Sequence, residues 1–286
     1  MDFGHWILVL VSCVRKITLL TITLNNMKYQ HILFDIKEKI AWITFNRPEQ
    51  LNAMNGQMMN EIIHALGEIN IADSERVRVA VITGAGKSFM AGADIKEYAQ
   101  QTQTAFEAFQ AKGHSLYAAI ESNAKPVIAA INGYAFGGGF EIALACDMIV
   151  AAEGAKMGLP EILLNLIPGG GGTLRLSKKI GVNLANEMVM TGRTVLAEEM
   201  HRHGLINYIY PKDAFIEKVT TFAASFVNKE PDRLQAIKQL AQMSTGSVPM
   251  AAQRMENEAL NIFYKSKQGQ EKIQEFYKKS LEKKNS

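Results

Sequence analysis

Pro126-Val127-Ile128-Ala129-Ala130-Ile131, then Gly137-Gly138-Gly139-Phe140-Glu141-Ile142-Ala143-Leu144-Ala145-Cys146, then Met148-Ile149-Val150-Ala151, is the stretch that decides the fold. The outer pieces are short, β-branched runs that read as buried strands, and the middle piece reads as a helix opening at three glycines. A strand, a helix and a strand in so short a span form the crossover unit of a parallel sheet.

The alternation continues on both sides. Upstream, Asn55 to Ile71 spaces Met58, Met59, Ile62, Ile63, Leu66 and Ile69 at helical intervals. Val77 to Thr83 is a strand ending at Gly84, and Thr104 to Ser122 reads as a further helix. Further upstream, Ile32 to Ile36 and Ile40 to Phe45 alternate in polarity around a Lys37-Glu38-Lys39 corner and predict a hairpin. Beyond Pro160 the strand signals fade, apart from Leu205 to Ile209, and the rest reads as helical. No Pro- or Ser-rich linker divides the chain and no internal repeat stands out, so one α/β domain with a helical C-terminal part is expected.

The 286 residues are 48% apolar and 21% charged, which excludes a disordered or fibrous chain. The net charge of +3 is unevenly placed. Seven Lys against three Glu between 265 and 286, with Arg15 and Lys16 against Asp2, account for more than the whole excess. The body of the chain then carries no basic face, which argues against a nucleic-acid partner. Two cysteines, Cys13 and Cys146, build neither a disulfide framework nor a cysteine metal site, and the cytoplasm is the default compartment. His201 and His203, at i, i+2, point to different helix faces, so no metal site is expected from them.

Residues 1–26 stand apart. Trp6 to Val14 and Ile17 to Leu24 are apolar runs split by Arg15 and Lys16, each under half of the ~20 residues a spanning helix needs. Stable membrane insertion is not expected, and cations that follow the apolar run do not make a secretory signal. The expected division is a disordered leader or misassigned start at 1–26, a catalytic core at 27–225 and a helical assembly region at 226–286.

Three glycine stretches invite phosphate-loop readings, and all fail on spacing. Gly86-Lys87-Ser88 would need a glycine at position 81, where Val81 stands, to complete a Walker loop. The dinucleotide pattern breaks at Phe89, Ile142 and Leu174, where its third glycine belongs.

Two carboxylates inside apolar segments carry the chemical signal. Glu141 follows the three glycines, and Glu161 follows Pro160, which suits a first helical position. One acidic residue in a first helical turn is ordinarily explained by the helix dipole; two, each beside glycines, fit acid–base chemistry near neutral pH. Glycines entering a helix also leave backbone N–H groups open to a ligand oxygen, although a plain tight turn needs the same residues. Ala91-Gly92-Ala93-Asp94, after the strand at 77–83, is a second small-residue turn that could add an N–H.

With these motifs goes a resemblance. Ile43-Thr44-Phe45-Asn46-Arg47-Pro48 with Leu51-Asn52-Ala53, Ala91-Gly92-Ala93-Asp94-Ile95, Gly137-Gly138-Gly139-Phe140-Glu141, Gly158-Leu159-Pro160-Glu161 and Ile167-Pro168-Gly169-Gly170-Gly171-Gly172-Thr173 together are similar to the enoyl-CoA hydratases of the crotonase superfamily. The likeness runs from about residue 29 to the end. It implies a crotonase-like spiral of ββα units with a helical C-terminal trimerisation region, assembled as a homotrimer or a dimer of trimers. It implies an acyl-CoA thioester substrate and no separate cofactor, coenzyme A being part of the substrate.

The resemblance places the thioester carbonyl between the N–H groups of Ala93 and Gly138, and the catalytic pair at Glu141 and Glu161, the first activating water and the second delivering a proton at Cα. Gln50, Leu51 and Ala53 with Ala91, Asp94, Ile95 and Lys96 match CoA-binding positions, and Lys279, near Phe276, matches a lysine that reaches a CoA phosphate. Both glutamates together favour hydration of a trans-2-enoyl-CoA over isomerisation, while Phe140 leaves acyl length open. A non-catalytic CoA-binding protein would not need both carboxylates. The RNA-binding relatives' basic helix has no counterpart at 104–122, where Lys112 is the one cation.

Overall fold

The computed structural model describes residues 27–98, 101–243, 266, 267 and 271. Residues 1–26, Phe276 and Lys279 lie outside them, as does most of the expected assembly region. In chain order the elements are β1 (Ile32–Lys37), β2 (Ile40–Phe45), a 3-10 turn (Pro48–Gln50), α1 (Gly56–Ile71), β3 (Val79–Gly84), β4 (Ser88–Met90), α2 (Ile95–Tyr98) and α3 (Gln103–Glu121). There follow β5 (Val127–Ile131), β6 (Tyr134–Phe136), α4 (Gly138–Ala145), β7 (Met148–Ala152), β8 (Lys156–Gly158) and a second 3-10 turn (Pro160–Leu164). The chain continues with α5 (Gly172–Ile180), α6 (Val182–Thr191), β9 (Val195–Leu196), α7 (Ala197–Arg202), β10 (Tyr208–Tyr210), α8 (Phe215–Val227) and α9 (Pro231–Met243).

β3 and β5 are buried along almost their whole length, as strands covered on both faces must be. They sit at the centre of a six-stranded sheet, β1-β2-β3-β5-β7-β10, parallel except for the β1–β2 hairpin. Successive residues feed opposite faces. Ala80, Ile82, Val127, Ala129 and Ile131 join the apolar stripes of α1 and α3, including Met59, Ile62, Leu66, Leu116 and Ile120. Val79, Val81, Ile128 and Ala130 instead meet Phe215, Val219 and Ala223 of α8. The expected boundary after residue 225 therefore falls inside a helix that covers the sheet.

A second sheet, β4-β6-β8-β9, gathers strands of two or three residues. In β3–β4–α3, β5–β6–α4 and β7–β8–α5 one plan recurs: a strand in the large sheet, a strand in the small sheet, then a helix. This is a crotonase-type spiral of ββα units. The repeat, absent from the sequence as a pattern, is present in the architecture, because three-residue strands are too short to display period-2 polarity. The strand expected at Leu205 to Ile209 forms later, at Tyr208–Tyr210, because Leu205 and Ile206 turn into the core and the Asn207 side chain accepts the Ile149 N–H at 2.8 Å. Among the described residues no helix is long and apolar enough to cross a membrane.

Candidate active site

Each spiral turn ends near the same place. The loop after β4, the glycines opening α4 and the 3-10 turn after β8 converge there. Gly137 has φ 49° and ψ −126°, a conformation that glycine alone adopts at ease, and its N–H donates to the Gly158 carbonyl at 3.0 Å. A Cβ on Gly137 would lie 3.8 Å from the Gly92 Cα, and one on Gly139 would lie 2.2 Å from the Met90 carbonyl oxygen. The two small-residue turns thus meet, which spacing alone could not show.

The first turn is held by a parallel bridge between Met54 and Ala93. Met54 N–H donates to the Gly92 carbonyl and Asp94 N–H to the Met54 carbonyl, each at 2.8 Å, while Ala91 N–H donates to Leu51 at 3.0 Å. Leu51 and Asn52 take left-handed backbone (φ 51° and 58°), and the buried Asn52 amide explains how that turn is kept. Its oxygen accepts the Arg47 N–H, and its nitrogen donates to the carbonyls of Ala85 and Ser88. Arg47 reaches across, pairing with Asp94 at 2.9 Å and donating to the Ala53 carbonyl. Burial alone would raise the Asp94 carboxyl; the bonds from Arg47 and from the Lys96 backbone hold it below the usual range. Gln50, Leu51 and Ala53 are in this way brought against Ala91 and Asp94, with Lys96 exposed at the rim.

Ala93 and Gly138 are half-buried, and neither backbone N–H has an acceptor among the described residues. Gly138 is the first residue of α4, where the helix dipole adds positive potential. The neighbouring Glu141 carboxyl, 3% exposed, is closely held. Oε1 accepts the N–H groups of Gly170 at 2.8 Å and Gly172 at 2.9 Å, and Oε2 accepts the Tyr117 hydroxyl at 3.3 Å. Burial raises its pKa above the ordinary value, and these donors with nearby Arg175 oppose the rise.

Glu161 stands in the second position of the 3-10 turn, after Pro160 as expected, although the turn is not the α-helix that the sequence implied. Its carboxyl lies over Gly137, whose Cβ would be 3.0 Å from Oε1, and Oε2 is buried with no hydrogen-bond partner. Burial, with repulsion from Glu141, pushes its pKa up to about 7. Two carboxyls in unlike settings beside two uncommitted N–H groups are an arrangement able to pair an acid with a base next to an oxyanion.

The sequence reading missed Arg47, Tyr117 and Arg175. The signal for Tyr117 was a stripe on α3, Gln110, His114, Tyr117 and Glu121, spaced to share one helix face. The Ile95 side chain and Lys279 lie outside the described residues. Among those described, no group of three or more His, Cys, Asp or Glu could hold a metal. His201 instead bonds its own loop, through Nδ1 to the Ile206 carbonyl at 2.8 Å.

A sequence model of the enoyl-CoA hydratase/isomerase family matches residues 35–285. A probable enoyl-CoA hydratase of Mycobacterium leprae is 40% identical over 240 residues, covering 84% of each chain. A 2,3-dehydroadipyl-CoA hydratase of Escherichia coli is 35% identical over 243 residues, 85% of this chain and 94% of the relative. Among solved structures, the enoyl-CoA hydratase of Bacillus anthracis superposes with a TM-score of 0.83 at 34% identity, over 87% of this chain and 97% of that one.

Proposed function

The chain belongs to the enoyl-CoA hydratase/isomerase family, and we propose from that premise that it adds water across the double bond of a trans-2-enoyl-CoA to give a 3-hydroxyacyl-CoA. The thioester carbonyl accepts the N–H groups of Ala93 and Gly138, which makes Cβ electrophilic and stabilises the enolate charge that develops. Glu141, ionised and held by its donors, takes a proton from water as the oxygen bonds to Cβ. Glu161, protonated up to about pH 7, gives its proton to Cα. The proton gained by one carboxyl balances the one lost by the other, and exchange with solvent resets the pair. No cofactor takes part, since coenzyme A enters and leaves on the acyl group.

The observation that carries this reading is the contrast between the two carboxyls beside two open N–H groups. The tie between Gln50–Ala53 and the Ala91–Asp94 turn supports Gln50, Leu51, Ala53, Ala91, Asp94, Ile95 and Lys96 as the CoA-binding positions, with Lys279 reaching a phosphate. We place the enzyme in the cytoplasm, with its catalytic core running from residue 27 to the end of α8 at Val227 and its assembly region in the residues that follow. Its assembly is proposed as a homotrimer or a dimer of trimers, and exposed Leu163, Leu164 and Ile167 near Glu161 offer apolar surface that contact between copies would cover.

Loss of the enoyl-thioester absorbance on adding crotonyl-CoA tests the activity. Wild-type turnover is expected, and so is 3-hydroxybutyryl-CoA as product. No turnover across C4 to C16 enoyl-CoAs, or full turnover by Glu161→Gln, overturns the mechanism. The same panel, read as kcat/KM, assigns the acyl length that Phe140 leaves open.

A further inference from the structure

The four-glycine run at 169–172 has no role in the chemistry above beyond two N–H groups, yet each glycine is hemmed in by a named side chain. A Cβ on Gly169 would lie 2.8 Å from the Gln110 amide, and one on Gly170 would lie 2.3 Å from the Tyr117 ring and 2.5 Å from Glu141 Oε2. At Gly171 it would lie 2.5 Å from Arg175 Nη1, and at Gly172 it would lie 2.9 Å from Glu141 Oε1. The loop is therefore pressed against Glu141 on one side and against the polar face of α3 and Arg175 on the other.

Arg175, in the first turns of α5, joins these surfaces. Its Nε and Nη2 donate to the two Glu121 oxygens at 2.7 and 2.9 Å, a two-point pair that fixes the plane of the guanidinium. Nη1, held in that plane, donates to the Gly170 carbonyl at 2.5 Å, and the guanidinium carbon stands 5.3 Å from the centre of the Tyr117 ring. Gly170 is thus gripped at both ends, its carbonyl by Arg175 and its N–H by Glu141. Tyr117 is likewise flanked by Arg175 and bonded to Glu141. An ordinary ion pair between exposed helices contributes little to stability. This one touches two of the three groups that hold one carboxylate.

We propose that Arg175, locked by Glu121, is a positioning residue for the hydration: it fixes the Gly169–Gly172 loop and the Tyr117 ring so that Glu141 meets the reacting water in one orientation. The inference rests on the acid–base role given above to Glu141. A lysine cannot replace the fork, because an ammonium is a point charge and cannot hold the carboxylate and the carbonyl in one plane. Among the described residues, the charged and titratable groups acting on Glu141 are Tyr117 from α3, Glu161 from the 3-10 turn and Arg175 from α5, with Glu121 and His114 of α3 one contact further out. His114 Nε2 bonds the Gly169 carbonyl at 2.9 Å and so grips the same loop.

The test compares Arg175→Met, Arg175→Lys and Glu121→Gln on crotonyl-CoA, with melting temperature measured beside kcat, KM and the pH profile of kcat/KM. Arg175→Met is expected to lower kcat about 10- to 100-fold, the cost of a misplacement of order 1 Å, with KM little changed. Its acid limb should move to higher pH, because a positive charge beside Glu141 is lost and the carboxyl becomes harder to ionise. Arg175→Lys should return the limb towards wild type while kcat stays low, since it restores charge without the fork. Glu121→Gln should lower kcat several-fold, and it decides the matter if the Arg175 variants do not fold.

A lower melting temperature with wild-type kcat and acid limb would overturn the proposal and leave the pair a structural tie. Glu141→Gln separates the two levels of argument. If it stays active, the role given to Glu141 fails; if it is inactive while the Arg175 and Glu121 variants match wild type, only this proposal fails.

Discussion

The Glu141 carboxyl is 3% exposed and accepts three hydrogen bonds, whereas Glu161, half-buried on a 3-10 turn, leaves Oε2 with no partner. Burial raises both, but three donors and Arg175 oppose the rise at Glu141, while repulsion from Glu141 adds to it at Glu161. The environment separates two identical side chains: the carboxyl held by three donors is suited to act as a base, and the one opposed only by its own backbone N–H is suited to act as an acid, which are the roles proposed for them. The difference arises far away in sequence, for Glu141 is solvated by a loop some thirty residues downstream.

The largest expected effect comes from removing either member. Glu141→Gln and Glu161→Gln should each lower kcat by about 10²- to 10⁴-fold, the usual worth of a positioned acid or base. If the two act as one unit, the double variant should be little slower than the worse single variant. Losses that multiply would break the pairing, and single-turnover rates on crotonyl-CoA distinguish the outcomes.

A smaller effect separates the two surroundings. Gly170→Ala forces a methyl group into the Tyr117 ring and the Glu141 carboxylate, and should cost about 1–3 kcal/mol through overpacking, with a fall in kcat. In a chain of this size that is a loss of about 2–4 °C in melting temperature per kcal/mol. Gly181→Ala is the control: its φ of 85° strains any side chain, but nothing lies within 4 Å of the new Cβ, so it should lose stability without losing kcat. Equal kcat losses in both would mean that the loop around Glu141 is not specially placed.

These contrasts also mark what the sequence could tell. The β1–β2 hairpin, α1, β3, β5 and the glycine-opened α4 were legible because each is long enough to show its period or carries its own cap. Asn55, for instance, caps α1 by accepting the Met58 N–H at 2.9 Å. β4, β6, β8 and β9 were not, since two or three residues show no period, and so the repeated ββα plan came from the family resemblance and not from the pattern of residues. Glu141 and Glu161 were visible as acids in apolar company. Their unequal settings were not, because the donors are backbone N–H groups and a tyrosine that carry no motif of their own. Arg175 and Arg47 carried no signal of their own in the sequence, because what they hold is backbone carbonyls that only the fold brings to them.

The smallest expected effect tests the Glu161 side by stability rather than rate. Its carboxyl pKa rises from 4.5 to about 7 on folding, chiefly by burial. The folded protein therefore binds this proton more tightly than the unfolded chain does. The associated stability is fully present below pH 4.5 and is lost as pH rises through about 7. Above that, wild type carries a buried anion with an unpartnered oxygen, and Glu161→Gln does not. The variant should melt higher than wild type at pH 8 and nearly with it at pH 4.5. Glu141→Gln should gain less at pH 8, because the amide gives up charge-assisted bonds from Gly170 and Gly172 that the carboxylate enjoys. Equal gains would mean that the two carboxyls are solvated alike in solution, and the assignment of base to one and acid to the other would lose its physical ground.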